Sequence, residues 1–164
     1  MREAEKKIWT RDALAEECRR LRAAGKKVVF TNGCFDLMHA GHAGYLQFAR
    51  QQGDVLVVGL NTDASVRRHK GPLRPIVDEQ NRARMMAALE CVDYVTWFDE
   101  DEPKELIGEL QPDVLVKAED WAHYVSGRDI VEARGGKVVL APMVEGLSTT
   151  RLIEKIVQAY GAEK

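Results

Sequence analysis

The sequence predicts an α/β fold, a doubly wound parallel sheet with helices on both faces, and three observations carry that prediction. Short apolar runs rich in β-branched residues, among them Val28-Val29-Phe30, Val55 to Leu60 and Val114-Leu115-Val116, are too continuous for half-exposed strands. They suit strands covered on both sides. Segments of helical periodicity separate them, as parallel crossovers require. No internal repeat or low-complexity stretch breaks the alternation.

Taken in order, the first element is a helix from Thr10 to about Ala24, with Leu14, Cys18 and Leu21 on one stripe and Gly25 as its stop. Residues 1–25 are thus read as an N-terminal helix covering the sheet. The first strand follows over Lys27 to Phe30, and Gly33 supplies a tight turn. The next helix begins near Met38 and continues through Tyr45, Leu46 and Phe48 to Gly53. After the second strand, Asn61-Thr62-Asp63-Ala64-Ser65 lies at a carboxyl end, where open α/β sheets place ligands. A turn or helix cap accounts for it equally well. Arg67-Arg68-His69-Lys70-Gly71-Pro72-Leu73-Arg74-Pro75 reads as a basic loop stiffened by two prolines and turned towards an anionic ligand.

Asp78 caps a helix running to Glu90, with Arg82, Met85, Met86 and Leu89 at helical spacing and the methionines as core. Tyr94 to Phe98 is the third strand, and Glu102-Pro103 opens a short helix through Leu106, Ile107 and Leu110. The fourth strand is Val114 to Lys117. A helix from about Gly127 to Arg134 leads through Gly135-Gly136 to the fifth strand, Lys137 to Leu140. The final helix begins near Ser148 and carries Leu152, Ile153, Ile156 and Val157 on its apolar face.

One domain, residues 1–164, is expected from this length, which suffices for a sizeable core. Charged residues make up 30% of the chain and balance to a formal net charge of -2, so there is no global basic field for nucleic acid. The cysteines, Cys18, Cys34 and Cys91, match neither a disulfide framework nor a zinc site and read as thiols in a reducing cytoplasm. The N-terminus lacks the apolar core of a signal peptide, and no apolar run reaches membrane-spanning length. A soluble cytoplasmic protein without a membrane partner is expected.

The chemistry concentrates at the strand-to-helix junctions. His39 and His42 stand three apart at the start of a helix, so both imidazoles leave one face of its first turn and converge on one ligand. That turn also presents unpaired N–H groups and the positive end of the helix dipole, a site for phosphate. Gly41 removes the side chain that would hold a phosphate off the backbone. A parallel sheet brings Ser148-Thr149-Thr150 to the same edge, with hydroxyls that suit a phosphate and an ordinary N-cap alike.

His39-Ala40-Gly41-His42 after Asn32-Gly33-Cys34-Phe35-Asp36 resembles the H-x-G-H signature of the cytidylyltransferase-like nucleotidyltransferases. Glu145-Gly146-Leu147-Ser148-Thr149-Thr150 is similar to their E-G-I-S-T-T element, about a hundred residues on. Lys117-Ala118-Glu119-Asp120-Trp121 is similar to their K-G-x-D-aromatic element, with Ala118 where glycine is usual, which bears on how closely backbone and nucleotide approach. The resemblance implies a Rossmann-like order of five strands and attack by a phosphate-bearing acceptor on the α-phosphorus of a nucleoside triphosphate, releasing pyrophosphate. A phosphate acceptor is already ionised at neutral pH and needs no general base, so catalysis is positioning and electrostatic stabilisation.

On this resemblance His39, His42, Lys70, Ser148 and Thr149 are the catalytic candidates. The nucleotide-binding set is Thr31, Asn32, Gly33, Cys34, Phe35, His39, Gly41, His42, Arg82, Lys117, Asp120, Glu145, Ser148, Thr149 and Thr150. Asp36, Asn61, Asp63, Lys70 and Arg74 would meet the acceptor. The plainer reading of Asp36 is a cap for the following helix, and that of Arg82 a surface ion pair. Magnesium is expected to arrive with the triphosphate, with no cage of protein ligands.

Within the family, Phe30 to Asp36, Asn61 to Val66 and Lys70 to Pro75 are most similar to the branch that transfers adenylate from ATP to D-glycero-β-D-manno-heptose 1-phosphate. Its product, ADP-heptose, feeds lipopolysaccharide or surface-layer glycans. Glycerol 3-phosphate cytidylyltransferases usually carry R-T-E-G before Ser-Thr-Thr, whereas this chain has Met143-Val144-Glu145-Gly146. Cytidylate transfer to a polyol phosphate is the alternative, and a nucleotide-binding sensor is the non-enzymatic one. The resemblance further implies a homodimer, and a separate kinase that makes the heptose 1-phosphate.

Overall fold

A computed structural model describes residues 3–143 and 146–161. Five strands, β1 (Val28–Gly33), β2 (Val55–Asn61), β3 (Tyr94–Phe98), β4 (Val114–Ala118) and β5 (Lys137–Ala141), form one sheet in the order β3-β2-β1-β4-β5. Every pairing is parallel. The chain reverses its direction of winding between β1 and β4, so a crevice opens there at the strands' carboxyl ends.

The helices are α1 (Arg11–Ala23), α2 (Ala40–Arg50), α3 (Asp63–Lys70), α4 (Glu79–Ala88), α5 (Lys104–Leu110), α6 (Arg128–Ala133) and α7 (Thr149–Tyr160). Alternate residues of β1 enter opposite layers. Val28 and Phe30 pack with Leu14 and Cys18 of α1 and Leu106 and Leu110 of α5, whereas Val29 packs with Leu46 of α2 and Met86 of α4. Helices therefore cover both faces, as the continuous apolar strands predict. All seven residues of β2 are buried.

Four local expectations are corrected. Residues 67–70 are not loop: Thr62 Oγ1 accepts from Ser65 N, Asp63 sits in the first turn, and Arg67 to Lys70 fill the last turn of α3. A cap, an anion at the start and cations at the end all favour helix. The loop begins at Gly71, with φ at 92°. After β1, the left-handed residue is Phe35 (φ 46°) rather than Gly33. Gly33 is instead needed for packing, since a Cβ there would lie 2.9 Å from the Phe35 ring.

Of the two methionines, Met86 is core but Met85 is 54% exposed. Among the described residues ahead of α1 there is no α-helix but a 3-10 turn, Ala4–Lys7, followed by a bridge from Ile8 to Val95 on β3. Lys7 closes this arm by donating to the carbonyls of Leu89 and Val92. The final helix has no buried residue, and its Ile156 and Val157 are exposed.

Candidate functional site

His39 is the N-cap of α2 rather than part of its first turn, with extended backbone, and His42 follows one turn in. The two imidazoles stack with centroids 3.8 Å apart and planes 19° apart, and Phe35 meets His42 edge-on. Among the described residues neither Nδ1 has a hydrogen-bond partner, although both are buried. Buried polar atoms usually find partners, so the pair is a place that a polar ligand would complete. Burial pushes the His39 pKa down, and burial together with His39 brings that of His42 to about 4. Both rings are neutral at neutral pH, each with one donor and one acceptor nitrogen. Gly41 has a second use: a Cβ there would crowd the His39 ring at 3.0 Å.

The two signatures meet in space. Thr149 Oγ1 donates to the Leu37 carbonyl at 3.0 Å, and Leu147 lies over Gly41. Ser148 caps α7, its hydroxyl accepting from Arg151 N, and Thr150 is exposed at the same helix start. Glu145 lies outside the described residues.

On the other side of the crevice Lys117 Nζ donates to Asn32 Oδ1 at 3.1 Å and sits 5.3 Å from the Trp121 ring centre. Burial lowers the Lys117 pKa, with Asp120 opposing. Trp121 is half exposed, and Asp120 is exposed beside it. Lys70, exposed at the end of α3, is near enough to oppose the rise that burial imposes on the Cys34 thiol.

Several predicted ligand contacts are instead engaged with the protein itself. Asp36 is 4% exposed; its carboxylate accepts from Ile76 N, Val77 N and Arg74 Nε at 2.7–3.0 Å. It neither caps α2 nor faces open solvent. Burial alone would raise its pKa, but those donors hold it below the ordinary carboxylate value. Arg74 is thereby held against Asp36 rather than extended to an acceptor.

Arg82 is 1% exposed and is neither a surface ion pair nor a free phosphate ligand. Its guanidinium donates to the carbonyls of Val77, Cys34 and Asn61 and to Asp63 Oδ1, which ties α4 to the ends of β1 and β2. The planar fork of arginine suits four fixed acceptors, and a buried charge needs them all. Asn61, also buried, binds Ser65 Oγ and Cys34 Sγ. Thr31 is buried against Tyr45.

These residues form a supporting layer, while the imidazoles, Lys117, Lys70 and the α7 start are nearer the edge. Sequence reasoning named Tyr45 as part of its helix and missed its place in this layer. A polar aromatic residue three after His42, on the same helical face, was the available signal.

A recess of about 450 Å³ beside the histidine loop is lined by Asp36, Leu37, Met38, Val77, Asn81, Arg82 and Met85. Among the described residues no group of three His, Cys, Asp or Glu side chains is arranged to hold a metal ion, and no helix is long and apolar enough to cross a membrane.

Comparison with known proteins agrees with the geometry. The chain is 54% identical over 164 residues to the bifunctional protein HldE of Trichlorobacter lovleyi, covering 99% of this chain and 33% of that one. It is 56% identical over 160 residues to the bifunctional protein HldE of Citrifermentans bemidjiense, again over 33% of that protein. The chain thus spans about a third of the length of these curated relatives. Among solved structures, the lipopolysaccharide core biosynthesis protein from Thermoplasma volcanium GSS1 aligns with a TM-score of 0.60 at 28% identity, covering 73% of this chain and 98% of that one. The cytidylyltransferase-like family model matches residues 30–155. With that model spanning both signatures and the crevice between them, the chain belongs to the cytidylyltransferase-like family.

Proposed function

We propose that this chain is an adenylyltransferase that transfers AMP from ATP to D-glycero-β-D-manno-heptose 1-phosphate, giving ADP-heptose and pyrophosphate. The observation that carries the reading is the stacked His39–His42 pair, with orphaned ring nitrogens at the start of α2, faced by the start of α7. Identity above 50% to proteins named HldE over nearly the whole chain supports the branch.

In this reading an oxygen of the acceptor phosphate attacks the α-phosphorus, and the bond to the β-phosphate bridging oxygen breaks. His39 and His42 donate hydrogen bonds to the triphosphate, and the N–H groups of the first turn of α2 receive phosphate oxygens. Lys117 and Lys70 balance the charge that grows on the leaving pyrophosphate. Ser148 and Thr149 fix the start of α7 against the same oxygens. Magnesium arrives with ATP as part of the substrate. The acceptor's phosphate is the product of a kinase step upstream. The assembly we propose is a homodimer, which sedimentation would report as twice 18.4 kDa.

The test is pyrophosphate release by the purified protein with magnesium, crossing ATP and CTP with heptose 1-phosphate and glycerol 3-phosphate. Release with ATP and the heptose is expected. Release with CTP and glycerol 3-phosphate would overturn the branch, and nucleotide binding without release in any well would leave a sensor.

A further inference from the structure

The ladder between the two central strands is short. β1 pairs with β4 over Val29–Val114 and Phe30–Leu115, whereas β1 stays paired with β2 as far as Gly33–Leu60 and β4 with β5 as far as Ala118–Ala141. Beyond Phe30 and Leu115 the two strands run on without a shared ladder, at the crevice where ligands of open sheets lie. Side chains span this gap. Tyr45 Oη donates to the Val116 carbonyl at 3.0 Å and lies 2.6 Å from Thr31 Oγ1. A tyrosine has one proton and a carbonyl can only accept, so Thr31 is the donor in the second bond.

One residue farther along each strand, Lys117 Nζ donates to Asn32 Oδ1. The two cross-links are successive rungs. The first joins Thr31 to Val116 through Tyr45, and the second joins the very next residues, Asn32 and Lys117. Burial pushes the Tyr45 pKa up to about 12, so its proton stays in place at any working pH, and the influence of Asp120 marks its nearness to the ligand edge. Tyr45 belongs to α2, three residues after His42, and so ties the histidine helix to both strands.

We propose that Tyr45 is a positioning residue: its hydroxyl sets the spacing of β1 and β4 and thereby holds the Lys117 ammonium against Asn32 at the ends of the two strands. The inference rests on the reading above in naming the triphosphate as what Lys117 meets. The geometric part stands without it.

The test uses Tyr45→Phe, which keeps the ring and removes the hydroxyl. In protein carrying ¹³C-labelled lysine, with the Lys117 resonance assigned by Lys117→Met, the ligand-free titration of Lys117 should move up towards the ordinary lysine value as water enters the gap. MgATP affinity by calorimetry should weaken about fivefold, the size of one lost hydrogen bond. In a Lys117→Met background, Tyr45→Phe should add nothing.

Thr31→Val removes the other bond to the same hydroxyl and should reproduce both effects, whereas Thr31→Ser should restore them. It also serves if Tyr45→Phe does not fold. An unmoved Lys117 titration, or losses that multiply in the double variant, overturns the proposal. A wild type that binds no MgATP, with the Lys117 titration still shifted in Tyr45→Phe, overturns the triphosphate reading and upholds the positioning role.

Discussion

At the scale of the residue, the site is two neutral imidazoles held face to face. Stacking at 3.8 Å makes a second positive charge costly, and burial already disfavours the first. Each ring therefore acts as a hydrogen-bond donor of fixed direction, worth most where charge grows in the transition state. His42→Ala should lower turnover by about a hundredfold while MgATP affinity changes by much less, read as kcat against Kd. Near-normal turnover would remove His42 from the mechanism. The pair was legible in the sequence as two histidines at a helix start, although His39 meets His42 from the extended N-cap position rather than from the first turn. Arg82 was not, since a cation in a helix looks the same whether it meets solvent, phosphate or four buried acceptors. Its burial depends on α4 lying across the ends of β1 and β2, a tertiary fact.

At the scale of the element, the segment from Gly71 to Val77 has no regular structure of its own and is held mainly by the Asp36 carboxylate, with Arg82 bonding the Val77 carbonyl at its end. Asp36 accepts from two successive backbone N–H groups and from Arg74, so it links the histidine loop to the approach to α4. Asp36→Asn removes the charge and leaves Arg74 facing a neutral amide. Hydrogen bonds to charged groups each contribute about 1.5–3 kcal/mol, so a loss of about 3 kcal/mol is expected in urea unfolding. Faster proteolysis confined to residues 71–77 should accompany it. Unchanged unfolding midpoints would show that the segment is held by something else. This clamp was not legible beforehand: Asp36 and Ile76 are forty residues apart, and backbone donors carry no signature. The α3 helix, by contrast, was legible in Thr62-Asp63 and the basic residues 67–70, had cap and dipole been weighed above the prolines that follow.

At the scale of the whole molecule, strand periodicity made the doubly wound sheet legible, because parallel strands covered on both faces leave continuous apolar runs. The short β1–β4 ladder was hidden, since nothing in Thr31 or Val116 tells a paired strand residue from a parted one. The fold buries a neutral histidine in that sheet's mouth, and this has a consequence for stability. His42 titrates near 6.5 when the chain is unfolded and at about 4 when folded. Between those values the unfolded chain binds more protons than the native one, so acid favours unfolding. The contribution of His42 is fully present above pH 6.5 and is lost as pH falls towards 4. Asp36 acts in a lower window: its contribution is present above the ordinary carboxylate value and is lost as pH falls from there towards its depressed folded value. Wild-type Tm should therefore decline from pH 6.5 to pH 4 before the carboxylates titrate. His42→Gln, which keeps a polar side chain and cannot titrate, should decline less over that window and run parallel to wild type below it. Parallel curves from pH 7 to pH 5 would mean that His42 gains no proton on unfolding, and the buried neutral pair would have to be abandoned.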